Sequence, residues 1–146
     1  AIFPLMDTFV RFTIDPIATT EAVDDEGVQA AAREMATKEY LGYVHRVCDS
    51  SLAFYTTQPY LIHDIVLVGR GMPERIEEEG VEPDMCTPIL PATNHPAGRK
   101  PLQTNKPFPF DNCYTHTHVS VARVRIKTQW SPYSNAIALL SMEHIR

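Results

Sequence analysis

The chain opens with alternation. From residue 5 to 14, Met6, Thr8, Val10, Phe12 and Ile14 share one face, and Asp7, Phe9, Arg11 and Thr13 share the other. A period of two predicts a strand. Asp15-Pro16 ends it, because proline brings no N–H to a ladder. Thr19, Thr20 and Glu21 then lead into Asp24-Asp25-Glu26, acids that suit the positive end of a helix dipole. Across 28–48 the period changes. Val28, Ala31, Ala32, Met35, Tyr40, Val44, Val47 and Cys48 recur every three or four residues and predict one long helix. Pro59 sets its outer limit.

Tyr60–Val68 is apolar on both faces, the pattern of a strand covered on both sides. Strand, helix and strand in that order predict a right-handed crossover between parallel strands. Gly69-Arg70-Gly71 breaks the run, and Pro73–Glu79 reads as a short helix with Gly80 past its end. Residues 81–111 show no regular element, and eight of the twelve prolines lie between Pro73 and Pro109. Each proline forbids continued helix and fixes a turn or an extended pair. Residues 112–130 alternate again and predict a second long strand, with Tyr114, His116 and His118 on its even face and Cys113 on its odd face. Ser131–Asn135 is good turn chemistry. Residues 136–145 would return antiparallel, placing Arg123 opposite Glu143, Val124 opposite Met142 and Ile126 opposite Leu140. A helix capped by Ser134 or Asn135 is the rival reading of that last segment. The expected fold is therefore α+β: one long helix packed on a mostly antiparallel sheet, a long irregular Pro-rich segment, and a C-terminal β-hairpin. At 146 residues this is one domain, 1–146, with the arm at about 81–111.

Charge changes the picture because it is split by position. Residues 1–85 carry 16 acids and 6 bases; residues 86–146 carry 2 acids and 7 bases. The two halves must face each other or face partners of opposite sign. Net acidity argues against general nucleic-acid affinity. The three cysteines, Cys48, Cys86 and Cys113, are odd in number and far apart, a poor disulfide framework that fits an intracellular, reducing compartment. No run approaches the ~18 apolar residues of a membrane span.

The densest group of potential ligands is Cys113, His116 and His118, with His95 and Asp111 able to complete it from the arm. Two imidazoles at i and i+2 share a strand face and can begin a zinc or iron site. His116 or His118 could equally act as general base, with Asp111 as orienting acid. The candidate metal ligands are thus His116, His118, His95 and Cys113, and the candidate catalytic set is His116, His118 and Asp111. The plainer alternative is two hydrogen-bonded histidines at a strand end. Asp24–Glu26 and Glu77–Glu79 lack the spacing of a calcium loop. Gly69-Arg70-Gly71 lacks the Gly-Lys-Ser/Thr of a phosphate loop.

Partner-binding candidates are Phe108 and Phe110, set on a stiff Pro107–Pro109 backbone, and the basic stripe Arg123, Arg125 and Lys127. These features favour a non-catalytic binding or assembly subunit that meets a protein partner or its own copy through the arm and the charge patches. The alternative is a small intracellular enzyme with a histidine-based acid/base or metal site at His116/His118.

Overall fold

A computed structural model describes residues 4–48, 61–119, 121–126 and 136–140. The chain falls into two compact units, residues 11–40 and residues 1–10 with 41–146. Six strands and two short helices are described: β1 (Phe9–Thr13), α1 (Pro16–Thr20), α2 (Glu26–Glu34), β2 (Glu39–Cys48), β3 (Leu61–Arg70), β4 (Cys86–Ile89), β5 (Cys113–His116) and β6 (Ala122–Ile126).

The expected long helix over 28–48 is two different elements. Within the smaller unit, α2 starts where the acidic run predicts, with the Asp25 side chain accepting from the Val28 amide at 3.0 Å. It stops at Glu34, and Met35 is already extended at φ −67°, ψ 127°. From Glu39 the chain is β2. Tyr40, Tyr43, Val44 and Val47 favour a strand, and Gly42 disfavours a helix interior. A register shift between Val44 and Arg46 breaks the two-residue period, which is why the apolar positions mimic helical spacing. In the same unit Phe12 stacks on Tyr40 at 5.7 Å, and Arg11 meets Glu39 at 3.4 Å.

The predicted parallel crossover is also overturned. β2 and β3 are antiparallel neighbours, paired from Leu41–Val68 to Cys48–Ile62. Apolar character on both faces of β3 reports two-sided burial, not strand direction. The predicted helix at 73–79 contracts to a 3-10 turn, Glu77–Glu79, closed by Gly80 at φ 68°.

In the larger unit the strand order is β1-β2-β3-β5-β4, with β6 also on β3. The backbone pairing does not stop at β4. Pro88 accepts from the Leu102 amide at 2.8 Å, and Leu102 accepts from Leu90 at 3.1 Å. Ala138 accepts from Asn105 at 2.9 Å, and Gln103 accepts from Leu140 at 3.1 Å. Ile137 accepts from Phe9 at 2.9 Å, and Asp7 accepts from Leu139 at 3.0 Å, which returns the ladder to β1. The sheet is thus a closed ring, a small barrel completed by segments 102–105 and 137–140. Its interior holds Tyr43, Val66, Ile89, Leu102, Phe108, Cys113 and Leu139, with Phe9, Leu41, Val68 and Ile137 packed against them. The proline-rich arm is therefore wall and filling: it supplies β4, a closing segment and the core ring of Phe108.

The expected strand over 112–130 is broken. β5 pairs with Val68–Arg70, and β6 pairs with Leu61–Ile65. Two residues separate Ile65 from Val68, but six separate their partners Ala122 and Thr115. Four extra residues must leave the ladder, and Thr117, His118 and Val119 open that excursion. The described part of the return segment, 136–140, bridges to Thr8 and Thr104. Glu143, Met142 and the proposed turn at 131–135 lie outside the described residues.

Candidate functional site

β5 sorts its side chains by alternation. Cys113 belongs to the barrel interior, whereas Tyr114 joins Cys86, Ala92 and Met72 in a second apolar cluster. His116 follows Tyr114 on this second face and lies directly across the ladder from Cys86. Its ring covers Gly69: a Cβ built there would lie 2.4 Å from His116 Cε1 and 2.6 Å from Nε2. Only a residue without a side chain leaves that space. His116 Nε2 donates to the Gly71 carbonyl at 3.0 Å, which fixes its proton on that nitrogen. The Thr117 amide donates to Met85 O at 3.1 Å and pins the start of the excursion. His118 then folds back, its ring centroid 5.5 Å from that of His116 at an interplanar angle of 33°. His118 Nδ1 is screened from solvent and makes no hydrogen bond.

The other expected members are elsewhere. His95 is committed to its own loop: Nε2 donates towards Asp84 O (3.0 Å) and Cys86 O (3.1 Å), and Nδ1 accepts from the amides of Ala97 (3.1 Å) and Arg99 (3.3 Å). Cys113 is buried inside the barrel, its thiol donating to Asp111 O at 3.5 Å. Burial pushes that thiol up from its ordinary range; Asp111 adds to the effect and Arg70 offsets part of it. Asp111 is exposed and pairs with Arg70 at 3.2 Å. Among the described residues no three His, Cys, Asp or Glu side chains gather as a metal-holding group. The expected four-ligand set and the His–Asp acid/base set are therefore reduced to one neighbouring pair, His116 and His118.

The two phenylalanines divide. Phe108 is buried, packed edge-on against Phe9 at 4.9 Å. Phe110 is 41% exposed and rests against Phe108 at 6.0 Å. So Phe108 is a core residue rather than a contact anchor. The basic stripe is also partly used. Arg123 donates to Asp64 at 3.0 Å, and Arg46 grips the other oxygen of the same carboxylate at 2.8 and 3.0 Å. Asp64 itself is 4% exposed. Arg125 is exposed on β6, and Lys127 lies outside the described residues.

Sequence reading missed Asp64, Gly69 and Cys86 as organising positions. An acid within the apolar run 61–68 was the legible signal for Asp64; nothing in the sequence pairs Cys86 with His116. Among the described residues no helix is long and apolar enough to cross a membrane. The geometry defines a small closed β-barrel with a histidine pair on its outer face. The chain matches no protein-family profile, no curated protein and no solved structure.

Proposed function

We propose that the barrel unit is a non-catalytic binding or assembly module whose contact with a protein partner, or with its own copy, centres on Phe110. The supporting observation is the presentation of that ring. An aromatic series, buried Tyr43, partly buried Phe9 and buried Phe108, ends in a phenylalanine that is half in solvent. Pro107 and Pro109 flank Phe108 and stiffen the segment that carries Phe110, so little ordering entropy remains to be lost on contact. The neighbouring Arg70–Asp111 pair supplies a polar rim. The other candidate groups are committed inward: His95 to backbone, Cys113 to the core, Arg123 to Asp64. The free, buried thiols of Cys86 and Cys113 fit an intracellular, reducing compartment.

Sedimentation of the full chain across a wide concentration range, with and without added salt, tests this reading alongside recovery of bound proteins from cell extract. Phe110→Ser should abolish the association while leaving the unfolding midpoint nearly unchanged. A wild type that stays monomeric and recovers no partner, indistinguishable from Phe110→Ser, overturns it.

The second reading, a small enzyme with a His116/His118 acid/base or metal site, is favoured by one observation: the closeness of the two imidazoles on an outer face. Its test is loss of a turnover, once found, in both His116→Ala and His118→Ala.

A further inference from the structure

We infer that His116 and His118 form a two-nitrogen site for a borderline divalent transition ion, with zinc as its natural probe. The inference rests on the metal form of the second reading, which it deepens, and is independent of the binding-module reading. Three features carry it. Two imidazoles on one tetrahedral ion, each nitrogen about 2.0–2.1 Å from it, hold their ring centroids roughly 5 Å apart. The observed separation is 5.5 Å. Metal-bound histidines characteristically donate their second N–H to a backbone carbonyl, which fixes the tautomer and aims the remaining lone pair. His116 does this through Nε2 and Gly71 O, leaving Nδ1 as the ligating atom. His118 contributes an Nδ1 that is screened from solvent and makes no hydrogen bond, an arrangement that costs stability unless something occupies the nitrogen.

The site's chemistry follows from its size. Two neutral imidazoles suit zinc, copper or nickel better than calcium or magnesium, which prefer oxygen. Since no third His, Cys, Asp or Glu of the described residues joins them, the remaining coordination positions fall to solvent or to a donor on a docked molecule. Such a site binds more weakly than a closed structural site, and acid weakens it further because protons compete for the same nitrogens. Gly69 is a positioning residue here: its missing Cβ lets the His116 ring lie flat on β3.

The test is calorimetric titration of zinc chloride into the metal-stripped full chain, with imidazole nitrogen resonances followed by NMR. The expected result is one ion per chain, with both Nδ1 resonances shifted. His118→Ala and His116→Ala should each weaken binding by at least about tenfold. His45→Ala, at an exposed position on β2, should leave it unchanged. His118 sits in the excursion outside the ladder, so His118→Ala decides the matter even if His116→Ala fails to fold. No heat and no resonance shift up to millimolar zinc, or full affinity retained in His118→Ala, overturns the inference.

Discussion

Two histidine-bearing loops flank the same outer face of the barrel and are built on opposite terms. In the loop after β4, His95 uses both ring nitrogens: one reaches two carbonyls and the other accepts two amides. Tyr114 adds a bond from its hydroxyl to Asn94 O at 3.0 Å. In the excursion after β5, His118 leaves a screened nitrogen without any bond. The first histidine does the work of a short secondary structure, satisfying backbone groups that no ladder reaches. The second is stabilised by little that the fold itself needs. Identical side chains thus separate into a structural and a functional candidate on hydrogen-bond accounting alone.

The largest expected effect breaks the first loop. His95→Ala removes the partner of four backbone groups, one of them the buried Cys86 carbonyl, and should cost about 2–4 kcal/mol. Chemical denaturation measures it, and a loss under ~1 kcal/mol shows that water replaces the ring. Next is Gly69→Ala. The new Cβ would displace the His116 ring, an overpacking that costs about 1–3 kcal/mol. An unchanged denaturation midpoint together with an unchanged His116 resonance contradicts the close approach.

A pH effect follows in size. Burial pushes the Cys86 thiol up, with Asp84 adding to the rise and Arg99 offsetting part of it; Cys113 is likewise raised by burial. Unfolded thiols ionise first, so the unfolded chain holds fewer protons than the native one above an unfolded thiol's pKa of about 8.5. The contribution of these thiols is intact below that pH and is lost as pH rises through their folded values. Denaturation midpoints compared between neutral and strongly alkaline buffer should fall for wild type, and fall less for a Cys86→Val, Cys113→Val double variant. Equal slopes refute the assignment. The smallest effect is His118→Ala. Removing an unbonded, screened nitrogen should change stability by about 0.5 kcal/mol or less, or raise it. A loss comparable to that of His95→Ala would erase the contrast between the loops.

Much of the sheet was legible because alternation is a local signal. β1 falls within its predicted run, β3 begins within its run but continues through Gly69 and Arg70, where a break was expected, and the acidic entry to α2 is where the charges place it. The β2 error is instructive. A bulge near His45 removes the clean period of two, and Tyr40, Val44, Val47 and Cys48 then fit a helix as well as a strand. Segment 102–105 was not legible, and 137–140 was legible as an antiparallel strand but with the wrong partner. It bridges to Thr8 and Thr104 rather than returning along 123–126, because each segment contributes only a few backbone bonds to partners distant in sequence. At the site, the adjacency of His116 and His118 was legible from i, i+2 spacing. The exclusion of His95, Cys113 and Asp111 was not, since it depends on the loop that captures His95 and on which barrel face Cys113 occupies.

The ring of backbone pairing closes through Thr8 and Ala138, positions separated by nearly the whole chain. On a ribosome, β1 emerges early and waits with one side unpaired until that late strip is made. Contacts of such long sequence separation slow folding, and an unpaired β1 is a template for other nascent chains. Synthesis at high density should therefore favour aggregates.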